Sequence, residues 1–365
     1  MLVLCPYPVG VAAGQRLKFE QYYDDWRAQG WEVVPAPFMD QALWKVVFEK
    51  GHRLAKLIGV AKGYSRRLRD LLRIGRYDLV YSHMYVTPIG SSLFERLTRK
   101  LARRLLFDVE DNVILDSRRV AIDNPNPLLR FVRGTGKARY LIRTADHVVT
   151  SSPALNERCL AINAKQRCSY ISSSVDTDRF LPVNAYANDR PVVIGWTGTF
   201  SSRVYLDILS PVFQALAKRR TFRLRVIGNF DYALPGVELE VIRWTAEREV
   251  EDLQGIDIGV YPLTIDEWVT GKSGLKAIQY MAFGLPCVAT DVGTTPNIIR
   301  HGDNGLLVRR ADEWQSALEQ LIDQPDLRRR LGEQARRDVV ANYSINAVAA
   351  DYRAALASAI CGSKE

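Results

Sequence analysis

Short apolar runs alternate with amphipathic stretches along almost the whole chain, and the series runs twice. The first series holds Leu2 to Cys5, Glu32 to Val34, Asp78 to Tyr81, Leu105 to Val109 and His147 to Thr150. A glycine-bearing loop, Gly10 to Gly14, follows the first run. A helical pattern then extends from about Arg16 to Gln29 and is closed by Gly30. Residues 182–191 carry two prolines, two asparagines and an aspartate, and read as a linker. The second series starts afresh, with runs at 192–196, 224–228, 239–242, 256–260, 287–290 and 305–308, and two long helical patterns finish the chain. Each series folds most economically as a parallel sheet with helices on both faces. The expectation is two Rossmann-like α/β domains of near-equal size facing across a cleft, with ligands beyond the carboxyl ends of the strands. The length of 365 residues suits two domains.

The net charge of +9 is concentrated. Residues 1–104 hold 18 Lys and Arg against 9 Asp and Glu, and the remainder balances at 32 of each. Such asymmetry suits either an anionic partner for the first third (nucleic acid, an acidic membrane surface, or phosphorylated substrates) or a solvated basic face with no partner. Between Val46 and Leu72 apolar residues interleave with Arg53, Lys56, Lys62, Arg66, Arg67 and Arg69, a basic amphipathic pattern suited to an anionic membrane surface. Neither aromatic platforms nor a known module supports nucleic acid. No run reaches the roughly 18 apolar residues of a membrane span. The start of the chain has neither the basic region nor the cleavage site of a secretory signal. The five cysteines are scattered, with none in a CxxC pair. The expectation is a reduced, cytoplasmic chain, peripheral on the inner face of the membrane. No His or Cys cluster calls for a protein-bound metal or cofactor.

The segment Trp268 to Val308 carries the most chemistry. Thr270-Gly271 leads into Lys272-Ser273-Gly274, which opens a helix ending at Gly284. Unpaired N–H groups at a helix start, with their partial positive charge, make an anion site, and Gly271 and Gly274 let a ligand approach closely. Lys272, Lys276 and either Gln279 or Tyr280 share one face, which suits a diphosphate and its ribose. Trp244 either lines a base pocket or packs in the core. His83 stands at the carboxyl end of its strand. Glu110 and Asp111 end another, placed to orient an acceptor hydroxyl or act as base, or simply to cap a turn.

Tyr280-Met281-Ala282, Gly284, Pro286, Val288-Ala289-Thr290, Gly293 and Asn304-Gly305-Leu306 resemble the signature of the retaining, nucleotide-sugar-dependent glycosyltransferases of family 4. The likeness extends through Ile194 to Gly198, Tyr205-Leu206, Val226 to Gly228, and Glu249 to Leu263. In the first half it is thinner: Arg16 with Lys18, and Asp108 to Asp111. Gln279 stands where that family has its ribose-binding glutamate, and Gly271 where it has a second, sugar-facing one. Thr199 stands at the usual phosphate-binding arginine and Arg203 roughly at its lysine. The resemblance implies a GT-B fold, with an acceptor-side domain at 1–182, a nucleotide-sugar domain at 183–345, and a helix and tail at 346–365 packing back on the first domain. It implies donor contacts from Arg16, Gly198, Arg203, Trp244, Gly271, Lys272, Ser273, Gly274, Lys276 and Gln279, and catalytic roles among His83, Glu110 and Asp111. The implied reaction is retaining transfer of a sugar from a nucleoside-diphosphate sugar to a glycan or lipid-linked acceptor in cell-surface polysaccharide synthesis. A sugar-nucleotide epimerase and a non-catalytic nucleotide-sugar-binding protein are the alternatives.

Overall fold

A computed structural model describes residues 1–89, 91–112, 114, 136–182 and 190–361. Most of the expected linker, 183–189, lies outside the described residues. The chain divides into two units, Met1–Ser172 with Ala349–Glu365, and Ser173–Val348. Among the described residues no helix is long and apolar enough to cross a membrane.

The first unit is built on six parallel strands: β1 (Leu2–Cys5), β2 (Val34–Pro37), β3 (Val80–His83), β4 (Leu105–Val109), β5 (His147–Thr150) and β6 (Cys168–Tyr170), in spatial order β2-β1-β3-β4-β5-β6. The inner strands are buried throughout and mainly apolar, because helices cover both faces of such a sheet. The helix expected from Arg16 to Gln29 is broken into helix Ala13–Arg16, a 3-10 turn Glu20–Tyr22 and helix Tyr23–Ala28. Gln15, Lys18 and Glu20 are all buried. On one continuous helix Lys18 and Glu20 would point about 160° apart; the break turns both inward. The C-terminal helix Ile345–Ile360 belongs to this unit from Ala349 onward. Its Tyr352 ring packs 4.6 Å from Tyr22 and 5.9 Å from Trp26, centroid to centroid.

The long basic helix Arg53–Arg73 departs from the sequence expectation. Arg67, read as one of its surface cations, is only 1% exposed. Its guanidinium donates to the carbonyls of Val86 (2.7 Å), Ala36 (2.7 Å) and Cys5 (2.9 Å), and to Asp70 Oδ2 at 3.0 Å. Gly59 and Gly63 share that buried face, where a Cβ would sit 2.8 Å from Leu43 and 2.5 Å from Phe38.

The second unit repeats the architecture with β7 (Val192–Gly198), β8 (Phe222–Gly228), β9 (Leu239–Arg243), β10 (Ile258–Tyr261), β11 (Cys287–Thr290) and β12 (Gly305–Val308), in order β12-β11-β10-β7-β8-β9, all parallel. Helix Leu275–Ala282 lies against β10. A Cβ at Gly259 would fall 2.3 Å from the Tyr280 ring, so only glycine allows this approach. The Tyr280 hydroxyl accepts a hydrogen bond from Thr197 N at 2.9 Å, tying the helix to β7 as well.

Candidate functional site

In each sheet the strand order reverses at one point, between β1 and β3 in the first unit and between β7 and β10 in the second. Such reversals open a crevice at the carboxyl ends of the strands. Among the residues singled out from the sequence, Lys276 in the second unit and His83 in the first stand at these reversals.

In the second unit, β7 ends at Gly198 and β10 at Tyr261. A Cβ at Gly198 would meet the Trp196 ring at 2.3 Å and Ser202 Oγ at 2.6 Å, so the chain turns where a larger residue is excluded. Helix Leu275–Ala282 starts beyond Gly274, whose φ of +75° and closeness to Ile298 both require glycine. The Lys276 ammonium lies 5.9 Å from the Trp196 ring centre and 5.5 Å from that of Tyr261, and so bridges the two strands of the reversal. The Lys272 ammonium stands 5.4 Å from the Tyr205 ring. Its carbonyl accepts from Thr294 Oγ1 at 2.7 Å, which fixes the approach to the helix. Gly271 is buried and Ser273 half-buried. Of the two candidates for the shared face, Tyr280 turns onto the sheet, which leaves Gln279, three residues after Lys276, on the lysine side. Arg203 lies over Tyr232 with its Nε 3.4 Å from Asp207. Trp244 is half-buried, and its backbone N–H donates to Gly228 O (2.9 Å) at the end of β8. Two cations at one helix start are chemically suited to a polyanion.

In the first unit, His83 ends β3 and is buried. Its Nδ1 is 3.4 Å from Asp108 Oδ2 and its Nε2 4.0 Å from Glu110 Oε2. Lys18 Nζ contacts Asp108 Oδ1 at 2.5 Å and Glu110 Oε1 at 3.8 Å, and the Tyr81 hydroxyl donates to Asp108 Oδ2 at 2.5 Å. Burial alone would raise the Asp108 carboxyl; the Lys18 charge and the His83 hydrogen bond outweigh it and hold it down at about 2. Glu110 goes the other way: burial pushes it above the usual carboxylate range, against Lys18 and His83. Its Oε2 lies close to Gly14, 3.4 Å from where a Cβ there would be. Asp111 follows with φ +55° in the turn after β4. Arg16 closes helix Ala13–Arg16 in the first unit, while the other expected donor residues belong to the second. The loop before it is latched by Glu20, which accepts from Gly10 N at 2.8 Å and from Gln15 Nε2.

Lys18, Tyr81 and Asp108 were not expected as site residues, yet they hold His83 and Glu110 in place. Asp108, a carboxylate inside the apolar run of β4, is a signal that the sequence carries, because a buried charge needs a partner; Lys18 carries no such local sign. Among the described residues no group of three His, Cys, Asp or Glu side chains is placed to hold a metal ion.

Residues 191–324 match the family described as Glycosyl transferases group 1. The D-inositol 3-phosphate glycosyltransferase of Pseudarthrobacter chlorophenolicus is 26% identical over 292 residues, covering 72% of this chain and 66% of that one. Matches to the first of the curated relatives span between 21% and 66% of their lengths. Among solved structures, sucrose-phosphate synthase from Thermosynechococcus elongatus superposes with a TM-score of 0.70 at 18% identity, covering 98% of this chain and 99% of that one. Anabaena HepE, solved in complex with UDP-glucose, superposes at 0.67 with 14% identity, covering 98% and 100%. The structural likenesses establish the fold. Over residues 191–324 the chain matches the group 1 glycosyltransferase model, and its two units have the Rossmann-like architecture of the GT-B fold.

Proposed function

We propose that the protein is a retaining glycosyltransferase that moves a sugar from a nucleoside diphosphate to a glycan or lipid-linked acceptor in cell-surface polysaccharide synthesis, working peripherally on the inner face of the membrane. The observation that carries this reading is the start of helix Leu275–Ala282, where Lys272 and Lys276 stand beside the β7/β10 reversal of the segment that matches the group 1 glycosyltransferase model. The bond to the anomeric carbon breaks as negative charge grows on the departing diphosphate. Cations and N–H groups already aimed at that charge stabilise the transition state more than the ground state. Gln279 takes the ribose hydroxyls, since an amide both donates and accepts. Trp196 and Tyr261 hold the Lys276 ammonium over their faces, which limits its freedom before the donor arrives. His83, Glu110 and Asp111 serve the acceptor side. No protein nucleophile is needed if the acceptor oxygen attacks from the face the diphosphate leaves and passes its proton to the leaving oxygen. The HepE complex with UDP-glucose makes UDP-sugars the first donors to try.

The test is thermal-shift screening against UDP-, GDP-, ADP- and CMP-sugars, followed by product analysis with glycan and lipid-linked acceptors. Binding to the folded state alone raises the melting temperature by linkage. Transfer with the donor's anomeric configuration kept is the expected result. Isomerised donor without transfer would make the protein an epimerase, and binding without turnover a nucleotide-sugar-binding protein.

A further inference from the structure

Helix Arg53–Arg73 wears its apolar face outward. Its buried residues are Gly59, Gly63, Arg67 and Asp70. Leu54, Ile58, Ala61, Ser65, Leu68 and Leu72 follow one another at alternating steps of four and three, and so line up on one face over roughly 27 Å. Leu54 is 70% exposed and Leu72 86%, with Leu57 beside the line at 67%. The helix cannot roll to hide them. Rolling would pull Arg67 from its three carbonyls, and only the two glycines fit flush against Leu43 and Phe38. An apolar stripe held out by buried polar bonds marks a surface made to be covered.

Charge identifies the cover. Exposed Lys62 and Arg69 run along one flank and Arg53 lies on the other; the helix's one acidic residue, Asp70, is buried against Arg67 and Arg73. A second copy would set this cationic surface against itself. We propose that helix Arg53–Arg73 lies flat in the headgroup region of an anionic bilayer, with its leucines among the acyl chains and Lys62 and Arg69 at the lipid phosphates. This deepens the peripheral location proposed above and is separable from sugar transfer, because nucleotide titration reads the other unit.

The experiment sediments the full chain with vesicles of phosphatidylcholine alone or with about 30 mol% phosphatidylglycerol, over a salt series. The Leu54→Ser/Leu57→Ser/Leu68→Ser/Leu72→Ser variant touches only exposed positions, and an unchanged melting curve and nucleotide affinity certify its fold. Arg66 and Arg67 are left alone, because Arg66 donates to Phe38 O (2.8 Å) and Asp40 (3.1 Å) and Arg67 is internal. Wild type is expected to bind the anionic vesicles only, with part of that binding surviving high salt. The leucine variant should bind at least tenfold more weakly, and Lys62→Gln and Arg69→Gln each about fivefold more weakly. Wild type left in the supernatant at low salt overturns the proposal, as does a leucine variant that binds equally well. A concentration-dependent dimer that the leucine variant abolishes, without vesicle binding, assigns the stripe to a second copy instead.

Discussion

Replacing Lys18 by Met keeps the length of a buried side chain and removes its charge. In the native unit the Lys18–Asp108 contact is 2.5 Å with both side chains essentially inaccessible to water. Leaving a carboxylate buried without that partner costs about 3–5 kcal/mol at neutral pH. The pH dependence is the sharper test. Asp108 falls from 3.8 to about 2 in the folded protein. That depression contributes stability above pH 3.8, about 2 kcal/mol in full, which is lost as the pH falls through 2. Without Lys18, burial dominates and the carboxyl rises above 3.8. The variant's folded state then gains from protonation below that value and loses the gain as the pH rises. The difference between wild type and variant should therefore shrink by more than about 1 kcal/mol between pH 7 and pH 3. Urea-dependent hydrogen exchange of the β3 and β4 amides reports this locally, without requiring both units to unfold together. A difference equal at the two pH values, or below about 1 kcal/mol at pH 7, would refute the argument that Lys18 sets the charge of Asp108.

Three further outcomes follow from the geometry. Lys272→Ala should weaken nucleoside-diphosphate binding by about 1.5–3 kcal/mol with the melting temperature unchanged; calorimetric titration giving equal dissociation constants would exclude a phosphate contact. Gln279→Ala should cost about 1–2 kcal/mol of nucleotide affinity while Gln279→Glu retains binding; a Glu variant that fails to bind would mean the residue does not face the ribose. Gly63→Ala should lower the melting temperature by an amount equivalent to about 1–3 kcal/mol, because its Cβ would stand 2.5 Å from the Phe38 ring; an unchanged melt would show that the helix seat yields freely.

The strands easiest to read from a sequence are those whose every side chain is buried. β1 and β10 show as unbroken apolar runs for that reason, and β3, β4 and β5 as apolar runs interrupted by His83, Asp108 and His147. β6 escaped notice because Cys168, Ser169 and Tyr170 are all half-exposed at the sheet's edge and carry no such pattern. The helix start after Gly274 was legible because glycine there is compelled twice, by backbone angle and by Ile298. The polar interior of the first unit was hidden. Whether a lysine at 18 or an arginine at 67 faces water or a carboxylate depends on residues far away in the chain, such as Asp108 and the Cys5 carbonyl, which no local period reveals. For the same reason the amphipathic pattern of residues 53–73 was visible while its direction was not.

The return of the chain to its first unit has a consequence for synthesis. Tyr352, which covers Tyr22 and Trp26, leaves the ribosome about 180 residues after Ser172, an interval of roughly 10 to 40 s at ordinary elongation rates. During that interval the nascent first unit presents an uncovered aromatic surface while the whole of the second unit emerges. Its N-terminal position therefore does not let it finish first, and a chaperone that binds nascent aromatic surface has a defined time in which to act. Truncation after residue 348 would make that transient exposure permanent, so damage at the far end of the chain would surface as aggregation of the N-terminal unit.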